Sequence, residues 1–195
     1  MKREIFYAAF FLAVLFFFSG CAQQPQIPAG HDDEAFHIHA DFKAVLDGKM
    51  VDFNRAEYMS EEFEELNPNV HMHDFNPYMI HFHSADAAMG DFFKSLGMDF
   101  NSNCFSDGEK NYCGNENEKL QFYVNGAANT QFGNYKPADL DKILIYYGAG
   151  TPGREIFDSL TSWACVYSKK CDAPPGVTVE EESCTPTQPC RLPGT

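Results

Sequence analysis

Basic residues are scarce in this chain, and they are not clustered. Its 195 residues include 14 Lys and Arg against 28 Asp and Glu, which gives a formal charge of −14 at pH 7. No basic run is longer than two residues, as at Lys169-Lys170. Binding to nucleic acid depends on clustered cations that neutralise phosphates, so we expect no nucleic-acid partner.

Several catalytic and redox motifs are also absent. The chain has no H-E-x-x-H, the helix-borne zinc motif of many proteases, and no nucleophile motif of an esterase. It has no C-x-x-C, which disfavours both a thioredoxin-type redox site and a zinc finger. The apolar run from Ile5 to Phe18 is shorter than the roughly 20 residues of a membrane-spanning helix.

The chain does contain one four-residue word three times. Six of its seven histidines lie in F-H-I-H at 36–39, V-H-M-H at 70–73 and I-H-F-H at 80–83. Composition alone would give about a quarter of one H-x-H pair, so composition does not explain three. Each word alternates histidine with a large apolar residue, which is the period of a half-buried strand. One face of each strand would then carry imidazole while the other faces a core.

The register of these strands decides whether the rings meet. Alternation predicts a first strand from Phe36 to Leu46, with a hairpin turn at Asp47-Gly48. A second hairpin is predicted around Asn76-Pro77. Pairing odd positions with odd positions there puts all four histidines of the last two words on one face, whereas a one-residue slip opposes histidine to apolar side chains.

Converging imidazoles predict a metal site, because directly opposed Cβ atoms lie only about 4.5–5.5 Å apart. The predicted ligands are His37, His39, His71, His73, His81 and His83. The predicted auxiliary residues are Asp41, Asp74, Met79 and His31. Six ligands exceed one tetrahedral site, so either two ions bind or only three or four histidines ligate.

The donor set suits a borderline divalent transition metal. Copper binds such donors most tightly, zinc is the usual alternative, and nickel or iron would fit. Met79 favours copper, because a thioether can hold the cuprous state. The H-x-H arrangement is similar to that of cupins, but no downstream Gly-rich motif with a third histidine fits.

Three uses of the site remain open. The first is capture or delivery of copper or zinc; the second is a mononuclear metalloenzyme, an oxidase, dioxygenase or hydrolase with an open metal position. The third is a scaffold domain with a structural ion. A pH-responsive imidazole cluster is a further physical option. We expect binding rather than catalysis, because no catalytic motif accompanies the histidines.

The N-terminus predicts export. Lys2 and Arg3 precede the apolar run, and Phe18-Ser19-Gly20-Cys21 follows it. Small residues before a cysteine at this place resemble the lipoprotein signal of prokaryotes. The resemblance implies a signal peptide at 1–20 and a lipidated Cys21 that anchors the chain to the outer face of the cell membrane or another extracytoplasmic membrane. Ordinary secretion or an uncleaved anchor would also place the remainder outside the cytoplasm.

Export makes disulfides the expected state of the other six cysteines. The simplest pairing joins sequence neighbours, and thiolate ligation of a metal is the alternative. The pairs are Cys104–Cys113, Cys165–Cys171 and Cys184–Cys190.

The remaining patterns predict an α+β fold. Helices are expected over Ala85–Leu96 and after Thr151-Pro152, and strands over Leu120–Val124 and Lys142–Tyr147. The phrases F-Y-V-N-G and D-L-D-K-I-L-I-Y-Y-G resemble those of small secreted β-grasp modules. That resemblance implies a helix crossing a small mixed or antiparallel sheet.

The predicted organisation has five parts. They are a signal peptide at 1–20, a lipidated cysteine and tether at 21–34, a β-rich domain at 35–150, a C-terminal helix at 151–171, and a disulfide-stapled irregular tail at 172–195. The phrases H-I-H-A-D-F, H-M-H-D, G-D-F-F-K-S-L-G-M and W-A-C-V-Y-S-K-K-C resemble an uncharacterised group of exported prokaryotic proteins, which implies no activity. The expected partners are a membrane and a metal ion, and no protein partner is indicated.

Overall fold

The computed structural model describes residues 36–60 and 66–179 of the chain. Its strands are β1 (Ile38–Leu46), β2 (Lys49–Met50), β3 (Val70–His71), β4 (Met79–Phe82), β5 (Asp99–Phe100), β6 (Cys104–Ser106), β7 (Asn111–Cys113), β8 (Lys119–Val124), β9 (Ala127–Ala128) and β10 (Lys142–Gly148). Its α-helices are α1 (Met89–Ser95), α2 (Arg154–Asp158) and α3 (Trp163–Tyr167), and short 3₁₀ turns cover Ala56–Tyr58 and Phe132–Asn134.

The main sheet is mixed and runs in the order β3-β4-β1-β10-β8-β9, with β2 paired to β1. The central strand β1 is antiparallel to β4 and parallel to β10, so the first and last strands of the described residues are neighbours. The hairpin predicted at Asp47-Gly48 is present, with φ angles of 52° and 73° that fit a type I′ turn. Asn125-Gly126 makes the same kind of turn between β8 and β9.

One face of this sheet forms the core. The buried side chains that strands β4, β1 and β10 place on this face are Ala40, Phe42, Ala44, Leu46, Ile80, Phe82, Ile143, Ile145 and Tyr147. Helix α1 covers them with Met89, Phe92 and Phe93. The small sheet β5-β6-β7 packs beside α1, where the ring of Phe93 lies 5.1 Å from that of Phe105.

Helix α1 ends just before Gly97. Gly97 has a φ of 74°, and its N–H donates to the carbonyl of Lys94. The N–H of Met98 donates to the carbonyl of Phe93 at 2.9 Å. This pair of bonds is a Schellman motif, which satisfies carbonyls that the helix end would otherwise leave open.

The opposite face of the sheet carries α2 and α3. Val45 and Leu144 pack there against Leu160, which lies between the two helices. The single helix predicted for this region is therefore divided. The Ser159 hydroxyl donates back to the carbonyl of Ile156, and Lys43 donates to the carbonyl of Ser159, so tertiary and local hydrogen bonds end α2 there.

The predicted α+β class with a mixed sheet is confirmed, as are the disulfides Cys104–Cys113 and Cys165–Cys171. The pair Cys184–Cys190, the signal peptide, Cys21 and His31 lie outside the described residues. The domain limits stay predictions.

Gly133 lies directly against the backbone of β5, and its replacement by alanine should destabilise the fold. A Cβ there would lie 2.0 Å from the carbonyl oxygen of Phe100. Backbone atoms cannot shift cheaply, so we expect Gly133→Ala to lower the free energy of unfolding by about 2 kcal/mol in urea denaturation. At Gly114 the atom nearest to an added Cβ would be 3.9 Å away. Gly114→Ala should therefore change the free energy of unfolding by less than about 0.5 kcal/mol. Equal effects of the two changes would contradict this account.

Candidate metal centre

Three strands bring the histidines of the three words to one face of the sheet. Strand β4 lies between β3 and β1, and His81 pairs with His71 on one side and with His39 on the other. The odd-to-odd register predicted for the second hairpin is therefore confirmed. The same register leaves Ile80 and Phe82 on the opposite, core-facing side.

The neighbouring row on this face holds His37 and His83. Ile38 pairs with Phe82, which places His37 across from His83, and the two ring centroids lie 4.4 Å apart. Both residues are partly exposed, whereas His81 is only 1 % exposed. The histidine face is therefore buried at its centre and opens to solvent at the row of His37 and His83.

The geometry of His37, His81 and His83 fits a metal ion. One nitrogen from each ring lies within 4.8 Å of the other two. Nε2 of His37 and Nδ1 of His81 are 3.5 Å apart. Nitrogens at 2.0–2.1 Å from a tetrahedral zinc lie about 3.4 Å from one another, so this pair already has the required spacing. We call these three residues the triad.

The other three rings surround His81. The ring centroid of His73 lies 3.9 Å from that of His81, and the centroid of His39 lies 4.8 Å from it. His71 lies 4.9 Å from His83. All six predicted ligands therefore form one continuous cluster. Among the described residues, the triad is the set whose ligand atoms all lie within 4.8 Å of one another.

A hydrogen bond orients the ring of His71. Nδ1 of His71 lies 2.8 Å from the carbonyl oxygen of Asn67, so Nδ1 carries the proton and the lone pair of the neutral ring is on Nε2. Nδ1 of His73 lies 3.0 Å from the carboxyl of Asp74. The auxiliary role of Asp74 stays a prediction.

A longer chain of hydrogen bonds orients His39. Nδ1 of His39 lies 2.8 Å from the hydroxyl of Ser168, and that hydroxyl donates to the carboxyl of Asp139 at 2.6 Å. Because the serine proton is committed to Asp139, His39 donates to Ser168 and keeps its lone pair on Nε2. Lys170 donates to the second carboxyl oxygen of Asp139.

The negative charge of the Asp139 carboxylate is stabilised by its hydrogen bonds. Burial pushes the pKa of its carboxyl upward, but hydrogen bonds from Lys170, Ser168 and the backbone of His39 outweigh that effect and leave the pKa below its usual value. An ionised carboxylate is the stronger acceptor for the serine hydroxyl. It therefore strengthens the chain that orients His39.

The carboxyl of Asp41 binds the start of α3, and its auxiliary role at the metal stays a prediction. Its carboxyl is 1 % exposed and accepts hydrogen bonds from the hydroxyl of Thr161 and from the N–H groups of Trp163 and Ala164. Burial raises the pKa of this carboxyl above its usual value, although these three hydrogen bonds oppose the rise. Asp41 thus holds the first turn of α3 against the sheet.

Met79 pairs with Asp41 in the register of β1 and β4 and is fully buried. By the alternation of the strand it lies on the histidine face, two positions before His81. Its role as an auxiliary ligand stays a prediction, as do the ligand roles of the individual histidines.

Sequence reasoning missed Asn67, Asp139, Tyr167 and Ser168. The ring of Tyr167 lies 5.6 Å from His81 and 5.8 Å from His39, so it covers the buried side of the cluster. Ser168 and His39 are 129 positions apart. The only sequence signal near Ser168 is the pair Cys165 and Cys171, which predicts a closed loop but not what the loop touches.

No family model, curated protein or solved structure matches this chain. Among the described residues, no helix is long and apolar enough to cross a membrane. The two disulfides are typical of an oxidising, extracytoplasmic compartment.

Proposed function

We propose that this chain is a lipid-anchored extracytoplasmic protein that captures copper or zinc and delivers it to an acceptor. The observation that carries the proposal is the convergence of one nitrogen each from His37, His81 and His83 within 4.8 Å. Cys21 would hold the anchor, as its lipoprotein-like signal implies, and membrane fractionation of a Cys21→Ala variant tests that part.

The donor set supports a borderline ion. Three neutral imidazoles suit zinc or copper, and by the usual order of stabilities copper(II) binds most tightly. Within residues 36–60 and 66–179, the two disulfides hold all four cysteines outside the donor set, which leaves imidazole as the main ligand there. Nickel and iron are compatible with the same nitrogens.

Capture and delivery are supported by the partial exposure of the triad. His37 and His83 lie at the open edge of the cluster, where an ion can enter and leave. His39, His71 and His73 lie behind them and are only 2–4 % exposed. Further imidazoles beside a three-coordinate ion offer alternative ligands during exchange.

Metal titration of the full oxidised chain at neutral pH tests the proposal. We expect at least one zinc or copper ion per chain by elemental analysis. Since an ion bound only by the folded state stabilises that state, free metal at 100 times its Kd should add about 2.7 kcal/mol to the free energy of unfolding. A chain that binds neither ion in this titration would refute the function.

A metalloenzyme is the second candidate, because three imidazoles at a partly exposed edge also describe a catalytic zinc with an open position. Cobalt(II) substitution separates the two. A visible spectrum that changes when azide is added would show an exchangeable position and favour the enzyme. An unchanged spectrum would favour a site filled by protein ligands.

A further inference from the structure

The segment 161–171, which we call the strap, lies across the histidine face. It begins at Thr161, contains α3 and ends at Cys171. Helix α3 contacts the sheet mainly through β1 and also through β4, the strand that contains His81. The strap is therefore the part of the protein that covers the metal face from the side opposite the core.

The carboxyl groups of Asp41 and Asp139 bind the two ends of the strap. Asp41 accepts from the N–H groups of Trp163 at 2.8 Å and Ala164 at 3.2 Å. Asp139 accepts from Ser168 and Lys170. Between these anchors the strap reaches the cluster directly, through Ser168 on His39 and the ring of Tyr167 over His81.

The conformation of the second half of the strap depends on its disulfide. Helix α3 has only five residues, too few to be stable from its own hydrogen bonds. After it the chain reverses through Lys169, which has a φ of 55°, a conformation uncommon outside glycine. The Cys165–Cys171 bond closes this reversal, and the N–H groups of Lys170 and Cys171 both donate to the carbonyl of Cys165.

We propose that the Cys165–Cys171 disulfide controls the metal affinity of the triad by holding Ser168 against His39; this inference rests on the proposed function. With the bond intact, Ser168 fixes His39 beside His37 and His81, where His39 serves as a fourth ligand of a bound ion. With the bond reduced, the strap loosens, Ser168 leaves Nδ1 of His39, and the ion is bound more weakly. Ser168 is a positioning residue in this scheme.

The reductant is a dithiol. Its thiolate attacks one sulfur of the pair, the Cys165–Cys171 bond breaks, and a mixed disulfide forms. The second thiol of the reductant then displaces the bound cysteine, so that the reductant leaves as a disulfide and the chain gains two thiols, two electrons and two protons. Cys171 is exposed, which gives a reductant access to this bond.

The test measures zinc affinity of the full chain by competition with a chromogenic chelator. The variants are Cys165→Ser/Cys171→Ser and, as the matched control, Cys104→Ser/Cys113→Ser, which removes the disulfide of the small sheet on the other side of the molecule. Thermal unfolding of each metal-free protein shows whether it is folded.

We expect Cys165→Ser/Cys171→Ser to bind zinc at least about 10-fold more weakly than the wild type, the range seen when a partner that orients a ligand is lost. The control should stay within about 2-fold of the wild type, because its site is remote. Equal losses in both double variants, or no loss in either, would overturn the proposal.

Ser168 provides a test that leaves the disulfide in place. Ser168→Ala should weaken zinc binding and change the visible spectrum of the cobalt(II) form, while Ser168→Thr, which keeps the hydroxyl, should restore both. A spectrum that is the same in all three proteins would show that Ser168 does not position His39. Failure of the oxidised wild type to bind zinc would refute both the proposed function and the role of the strap. If the wild type binds zinc and Cys165→Ser/Cys171→Ser binds it equally well, only the role of the strap is refuted.

Discussion

The variant His81→Ala is expected to lose zinc affinity by more than about 100-fold, beyond the 10–100-fold typical of losing an orienting partner. His81 belongs to the triad, and its ring also lies next to those of His39 and His73. Removing it deletes a ligand and the side chain around which the other rings are arranged. Chelator competition and elemental analysis of the purified full chain measure the loss.

His71→Ala is the matched comparison for this variant. His71 lies on the outer strand β3 and is not part of the triad, so its loss should reduce affinity by only about 10-fold. Because His81 is buried, thermal unfolding of metal-free His81→Ala must show a folded protein. If His81→Ala is unfolded, His37→Ala, which removes a partly exposed ring of the triad, is measured in its place. Similar affinities for the triad variant and His71→Ala would contradict the assignment of the triad.

Asp41→Ala should lower the free energy of unfolding by about 3 kcal/mol. The change leaves the hydroxyl of Thr161 and the N–H groups of Trp163 and Ala164 without their acceptor at a buried position. Urea denaturation followed by circular dichroism measures the effect. Trp163 is the single tryptophan of the chain, so its fluorescence reports on the strap separately.

Asp158→Ala serves as the control for this prediction. Its carboxyl is 61 % exposed and pairs with Arg154 one helical turn earlier, an interaction worth less than about 1 kcal/mol. A loss for Asp41→Ala no larger than that for Asp158→Ala would show that the buried carboxyl does not hold α3 to the sheet.

Much of the histidine face could be predicted from alternation. The side chains of a strand point to opposite sides in turn, so the phase of His37 and His39 against Ile38 and Ala40 follows from covalent geometry. The apolar positions then select one register for the second hairpin, because a slip would expose Ile80 and Phe82. The turn at Asp47-Gly48 was predictable for a similar local reason.

Other features depend on contacts between distant parts of the chain. The pairing of β1 with β4 and β10 is set by packing summed over the whole core, and no local pattern encodes it. The single helix expected after Thr151 is divided because Lys43 binds the carbonyl of Ser159 between the two halves and Asp41 binds the N–H of Trp163 at the start of the second half. These partners lie more than 100 positions earlier in the chain.

The local pattern of the chain thus establishes which side chains share a face, because the two-residue period is a property of each strand alone. It established the imidazole-rich face in this way, and other local signals predicted the turn at Asp47-Gly48 and the two disulfides that the structure describes. Which three rings come close enough to share an ion, and that Asp41 holds a helix, follow from the folded arrangement. So does the placing of Ser168 on His39, because a contact across 129 positions is made only when sheet and strap pack together.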